Sequence, residues 1–404
     1  MTEIGDQALL PAGFQDVLPP QAAQEAAVIE RLIACFAGRG YERVKPPLLE
    51  FEETILAGAG AAVAQQTFRL MDPVSQRMMG LRADMTPQVA RIAATRLRKA
   101  PRPLRLCYGG QVLRIKGGQL RPERQFAQVG AELIGAASAR ADAEAVVLAA
   151  EALAAIGIGG LSVDLNLPPL VDALAADLDI GGARLAALRQ ALDRKDAAAV
   201  SEIAGVSAAQ FQALLRAAGP AEAALAALGA MALVGAAAEE VARLIRVVES
   251  IQVGAPDLTL TIDPAEHRGF EYQTGISFIL FARGVRGELG RGGRYATEPP
   301  ARAATGAATG AATAAATGEV SPEPESATGF TLFMDSVQRA LSEPPPPRRL
   351  YLPPDCPAAR GNELRAEGWI TLAGLEAVAD FATEARRMGC SHALIDGAIT
   401  ALED

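Results

Sequence analysis

Residues Leu104–Gly135 read LRLCYGGQVLRIKGGQLRPERQFAQVGAELIG. The two ends alternate or run apolar as strands do, and the middle, Arg114 to Arg124, is a basic loop punctuated by Gly117, Gly118 and Pro122. The pattern predicts two antiparallel strands joined by a cationic loop. Arg114 then closes the first strand, Arg124 opens the second, and Gln128, Gly130 and Glu132 share one face at period two. A cation beside a row of polar side chains on a sheet floor suits a zwitterionic or phosphorylated ligand. A plainer reading stays open, in which Gln128 and Glu132 only brace the sheet.

Upstream, Thr67–Asp72 and Met78–Arg82 predict a strand pair around the turn that begins at Asp72. A helix follows, with Thr86 as its cap and Pro87 at its first position. Asp84 sits just outside that helix; it either turns the chain or is placed to hold an ammonium group. Further back, Ala26, Ile29, Ile33 and Phe36 mark an amphipathic helix closed by Gly38 and Gly40. Residues Glu42–Phe51 contain Pro46 and Pro47, so they are expected as an edge or interface strand, with simple packing as the competing reading.

Downstream, Ser138–Ile156 predicts a helix capped by Ser138, with Asp142 and Glu144 near its positive end. Leu161–Asn166 and Leu258–Asp263 read as strands, and residues between Pro168 and Gln252 as helices broken at Gly181-Gly182, Gly205 and Gly219-Pro220. In the segment His267–Phe281, Arg268 is either a turn residue or a guanidinium over a ligand, and His267 is read as a turn residue or a ligand contact. Gly287–Tyr295 is expected as a glycine-rich loop whose backbone approaches a ligand, and it lacks the phosphate-loop pattern. The Ala/Thr/Gly tract 301–327 predicts a flexible, solvated loop, Gly329–Leu341 an amphipathic helix, and Pro344–Pro347 a stiff linker. From Arg348 to Asp404, strands and helices alternate as in a small α/β unit.

At 404 residues and 50% hydrophobic, the chain can bury two or more cores, and nothing in it reads as a membrane span or secretory leader. A net charge of -9 disfavours bulk attraction to nucleic acid. Four dispersed cysteines and two histidines form no zinc spacing or disulfide framework, which points to a reducing cytoplasm.

The hairpin, the Asp84/Thr86 turn, Arg268-Gly-Phe-Glu-Tyr272 and Gly292-Gly-Arg-Tyr295 together resemble the catalytic domain of histidyl-tRNA synthetase, a class II synthetase, over about residues 8 to 341. The fold this implies is α+β: a class II aminoacyl-tRNA synthetase-like antiparallel sheet flanked by helices, with a helical insertion and a small C-terminal α/β unit. The expected domains are 1–166 with 255–343, an insertion at 167–254, and 348–404. The Pro46-Pro47 segment resembles motif 1, the dimer-forming element, and Leu104–Glu132 resembles motif 2. By this resemblance Asp84, Thr86 and Gln128 hold a histidine α-ammonium and Arg268 faces its carboxylate. Glu132 accepts from the imidazole, and Tyr272 lines the pocket. Arg114 and Phe126 match ATP-facing positions, with Arg114 open to a second role at the carboxylate, and Gln273 replaces a tyrosine of the family.

Two departures redirect the functional expectation. The family's third motif ends Gly-Leu-Glu-Arg-Leu, whereas this chain has Phe333-Met-Asp-Ser-Val337, so Ser336 replaces the arginine that holds ATP phosphates and Phe333 replaces a glycine. A hydroxyl does not neutralise a triphosphate as a guanidinium does. A synthetase-like chain of this kind resembles the regulatory subunits of ATP phosphoribosyltransferase. That resemblance implies no catalytic residues, cofactor or metal of its own, histidine as ligand, and a short-form catalytic subunit as partner. It further implies activation of that partner, feedback by histidine in the first step of histidine biosynthesis, self-association through the motif 1-like segment, and no membrane or tRNA partner. An active histidyl-tRNA synthetase and a free-standing histidine-binding protein are the alternatives.

Overall fold

The computed structural model describes residues 10–118, 121–267, 273–297, 324–342 and 347–402. The chain divides into two compact units, Met1–Leu341 and Ser342–Asp404. In the first, helix α1 (Gln21–Gly38) buries Val28, Leu32, Ile33 and Phe36 at helical spacing. It ends where Gly40 takes φ +82°, and the N–H groups of Gly40 and Tyr41 close onto Ala37 and Phe36 carbonyls.

Pro46 and Pro47 split the single strand expected at 42–51. Strand β1 (Glu42–Arg43) runs parallel to the edge of the main sheet, while β2 (Leu49–Phe51) joins a separate three-stranded sheet. Two residues without N–H donors cannot sustain one ladder, so the chain changes sheets there. After the one-turn helix α2 (Glu52–Ile55) and a 3₁₀ segment, β3 (Arg69–Met71) and β4 (Met78–Leu81) form the expected pair. Asp72 shapes their turn by accepting from the N–H groups of Val74 and Ser75, each at 3.1 Å. Helix α3 (Thr86–Thr95) follows.

The hairpin forms as its pattern predicts. Strands β5 (Leu104–Leu113) and β6 (Gln125–Ile134) pair in unbroken antiparallel register from Leu104↔Ile134 to Leu113↔Gln125, and Arg114 N–H donates to the Arg124 carbonyl at 2.7 Å. Alternate residues of β6 serve opposite faces. Ala127, Val129 and Ala131 pack toward α1 and helix α4 (Ala139–Ala155), whereas Phe126 and Ile134 join Met85, Val89 and Tyr108 on the α3 side. Ser138 caps α4, its Oγ accepting from Ala141 N–H at 3.3 Å.

Strand β7 (Leu161–Asn166) leads into α5 (Pro168–Asp177), α6 (Gly182–Asp193), α7 (Ala197–Ala204) and α8 (Ala208–Arg216). Then come the two-residue β8 (Gly219–Pro220), α9 (Ala221–Gly229), α10 (Gly235–Gly254) and β9 (Thr259–Asp263). Leu170, Leu192, Phe211 and Val248 from these helices share one continuous hydrophobic cluster with Val129 and Phe278 of the sheet. Residues 197–216 form the one described stretch of membrane-span length and apolarity, with mean hydropathy 1.2, and Gly205–Ser207 divides it into α7 and α8.

Strands β10 (Gln273–Ala282), β11 (Gly290–Thr297) and β12 (Glu325–Phe333) complete a nine-stranded sheet, in order β1-β5-β6-β12-β11-β10-β7-β9-β8. Three expectations are corrected here. Residues 290–295 are an interior strand rather than a loop. A Cβ on Gly292 would meet the Gly329 carbonyl at 2.3 Å, and one on Gly293 would meet Gln273 Oε1 at 2.5 Å, so glycine serves close strand approach. Residues 329–333 are also strand, not helix: Phe330 and Leu332 face α1 and α4 while Phe333 faces the other side, a period of two. Only Met334–Ala340 is helical. Of the tract 301–327 expected as a solvated loop, Glu325–Ala327 are strand, with Ala327 paired on both sides and fully buried, while 301–323 and residues 344–346 of the linker lie outside the described residues.

The second unit is a four-stranded sheet in order β14-β13-β15-β16, formed by β13 (Arg349–Leu352), β14 (Ile370–Ala373), β15 (His392–Ile395) and β16 (Ala398–Ala401). Helices Ala358–Ala366 and Phe381–Arg387 alternate with the parallel strands, around Leu350, Leu364, Trp369 and Leu394. The last strand follows a turn at Asp396-Gly397, both at positive φ, an Asp-Gly pair of the kind that closes a two-residue hairpin.

Candidate functional site

Glu132 lies in the middle of β6 and is 1% exposed. Three hydroxyls donate to its carboxyl: Thr86 Oγ1 at 2.9 Å and Tyr108 at 3.1 Å to Oε1, and Tyr295 at 3.0 Å to Oε2. Their elements differ, α3, β5 and β11, so the carboxyl ties together parts of the fold remote in sequence. Burial pushes its pKa up to about 8, and the three hydroxyls hold it back from rising further. Glycine makes the space around it. A Cβ on Gly329 would fall 1.8 Å from Glu132 Oε2, and one on Gly130 would meet the Tyr108 hydroxyl at 2.4 Å.

Asp84 does turn the chain, because its Oδ1 accepts from Thr86 N–H at 3.2 Å, and it also lines the cavity above Glu132. The N-cap position of α3 is Met85, and Asp84 stands just ahead of it. The Thr86 hydroxyl, expected as that cap, is spent on Glu132. Burial raises the Asp84 pKa while the Arg114 charge opposes the rise; the same burial lowers that of Arg114. Arg114 donates from Nε to the Ala83 carbonyl at 3.4 Å, which keeps the two on one wall.

Asp84, Thr86, Arg114 and Glu132 thus come together around a cavity of about 550 Å³, a volume that suits a small ligand. Gln128 does not reach it. It is fully buried, and its Oε1 accepts from Met85 N–H at 3.0 Å, so it fixes the start of α3 from behind. Arg268 and Tyr272 lie outside the described residues. Gln273, read from sequence only as a departure, lines the cavity, and its Oε1 has no hydrogen-bond partner among the described residues. Tyr108, Glu288, Arg291 and Arg121 were not singled out. Their places depend on strands paired across the sheet; the basic loop contains Arg121, the glycine-rich stretch Gly287–Tyr295 contains Glu288 and Arg291, and no motif marks Tyr108.

A second cavity of about 990 Å³ adjoins the first, shares Arg114, Glu288 and Arg291 with it, and reaches Ser336. Ser336 is 1% exposed, and its Oγ accepts from Arg121 at 3.2 Å and from Arg339 at 3.0 Å. Phe126 and Phe333 meet edge to face with centroids 6.1 Å apart, and Phe333 lines the smaller cavity. Among the described residues no three His, Cys, Asp or Glu side chains come together to hold a metal ion. The site can therefore offer a zwitterion a carboxyl floor, a cation and a second carboxylate.

A sequence profile described as histidyl-tRNA synthetase matches residues 13–316. An ATP phosphoribosyltransferase regulatory subunit from Rhodospirillum centenum is 54% identical, covering 98% of this chain and 97% of its own. The protein of the same name from Paramagnetospirillum magneticum is 54% identical over all of both chains. Among solved structures, an ATP phosphoribosyltransferase regulatory subunit/histidyl-tRNA synthetase from Bacillus halodurans superposes with a TM-score of 0.76 at 23% identity, covering 93% of this chain and 95% of that one. Histidyl-tRNA synthetase from Nostoc sp. PCC 7120 gives 0.75 at 19%, covering 97% and 92%. These last two likenesses establish the class II synthetase-like fold.

Proposed function

The chain belongs to the ATP phosphoribosyltransferase regulatory subunits, built on the histidyl-tRNA synthetase fold, and from that premise we propose how it regulates: it binds a short-form catalytic subunit, activates it, and carries histidine feedback to it. Histidine is the ligand of the smaller cavity. Its ammonium faces Asp84, its carboxylate Arg114, and its imidazole Glu132. The carrying observation is the contrast between the two cavities. Glu132 keeps three hydroxyl donors and a glycine-cleared approach, while position 336, where a synthetase-like chain needs a guanidinium, holds a buried serine. Amino-acid recognition is retained and adenylation is lost. Binding of histidine and of the catalytic subunit are then linked, each altering the other's affinity by the same factor.

The three-stranded sheet supports self-association. Leu48, Met71, Val74 and Met78 are exposed on or beside it, next to the motif 1-like Pro46-Pro47 segment. The rival function, charging tRNA with histidine, lacks the arginine at 336.

The test is reconstitution. The purified chain is mixed with a short-form ATP phosphoribosyltransferase and phosphoribosyl-ATP formation is followed. Activity should rise with this chain present and fall on adding histidine; equal rates with and without the chain remove the regulatory reading. Histidine-dependent ATP–pyrophosphate exchange by the chain alone restores the synthetase.

A further inference from the structure

Arg121, from the basic loop, closes the larger cavity. Its guanidinium carbon lies 3.8 Å from the Phe333 ring centroid and 5.2 Å from that of Phe126. Nε donates to Asp335 Oδ2 at 2.7 Å, a terminal nitrogen donates to Ser336 Oγ at 3.2 Å, and Glu288 stands 3.9 Å away. The side chain is 12% exposed although it springs from a loop. Two phenyl rings, a carboxylate and a hydroxyl make a slot for a planar group with N–H bonds along its edge. A guanidinium satisfies that description, and so does an aminopurine. Arg114, Lys116 and Arg291 line the same cavity, which places cations where the phosphates of a nucleotide seated in the slot would extend.

We propose that Arg121 is a built-in occupant of this slot and keeps purine nucleotides out of the cavity. Being tethered, it competes at an effective concentration of order millimolar. Displacing it would also take from Asp335, whose side chain is 8% exposed, the nearer of two ion-pair partners, leaving Arg339 at 3.6 Å. Ser336 alone leaves the larger cavity short of a cation; Arg121 fills it with one already neutralised. The inference deepens the regulatory reading and rests on it for its meaning, since a subunit that responds to histidine gains selectivity by refusing nucleotide.

Arg121→Ala in the full chain tests it, with magnesium ATP and histidine each titrated calorimetrically into both proteins. The variant should bind ATP at least about tenfold tighter than the parent, with histidine affinity unchanged. Arg121→Gln keeps a hydrogen-bond donor for Asp335 without charge or stacking, and should admit ATP to an intermediate degree. Equal ATP affinity in parent and variants overturns the proposal. Weaker ATP binding in the variants also overturns it, making Arg121 a nucleotide contact. Failure of either protein to bind histidine defeats the amino-acid reading of the Glu132 floor, a result separate from the ATP comparison.

Discussion

Glu132 sets a pH dependence whose sign follows from its surroundings. Its pKa is about 8 in the fold against an ordinary 4.5, so between those values the folded chain holds more of this proton than the unfolded chain. The contribution to stability is therefore full below the ordinary value, declines as pH rises toward 8, and is constant above it. The slope is at most about 1.4 kcal/mol per pH unit for one proton. Glu132→Gln removes the titration, and melting temperatures of parent and variant measured from acid to mildly alkaline pH should diverge, the parent losing ground as pH rises. Parallel curves would show that Glu132 stays ionised in the fold. Period two alone placed Glu132 and Gln128 on one face. It did not separate a residue that looks into a cavity from one buried behind it, because that difference is made by the N-terminus of α3 folding across from elsewhere in the chain.

At the scale of elements, the Gly292-Gly-Arg-Tyr295 pattern stands for three different jobs on one strand. The glycines let β10 and β12 close in, Tyr295 donates to Glu132, and Arg294 points to the opposite side to bind α4. There Arg294 meets Asp142 at 2.7 Å and donates to the carbonyls of Ala136 and Ser138, with both charged side chains under 5% exposed. Arg294→Ala leaves Asp142 with Arg243 as its remaining partner and should cost about 1.5–3 kcal/mol, read from urea denaturation midpoints. A loss under about 1 kcal/mol would mean that the pair is not structural. The hairpin was legible because strand period, loop glycines and flanking arginines agree within one continuous stretch. β11 was not, since its glycines carry no strand propensity and its partner β12 lies well downstream in sequence; nor was β12, whose run of small residues ahead of Phe330 resembles loop.

For the whole molecule, the division of labour between sheets matters. The nine-stranded sheet carries the cavities, whereas the small β2-β4-β3 sheet exposes Met71 at 58% and Val74 at 90%. An isolated apolar side chain on a surface means little, but several together on one short sheet mark an association face. Met71→Asp should lower the mass seen by light scattering to that of one chain while leaving histidine affinity intact. An unchanged mass would place self-association elsewhere. The division at Ser342 and the alternation in 348–402 follow from proline and from the helix–strand period; the role of that unit has no counterpart in its side-chain chemistry.

The order of strands also bears on synthesis. β12 lies between β6 and β11, so Ile134 waits for Ala327, and Glu132 waits for Gly329, before the floor is whole. Contacts this distant in sequence form late, once the chain entropy of closing so long a loop has been overcome. A nascent chain on the ribosome therefore carries Asp84, Arg114 and Glu132 without a closed cavity around them until β12 has been made. The cavity floor closes only after residue 333 has left the exit tunnel.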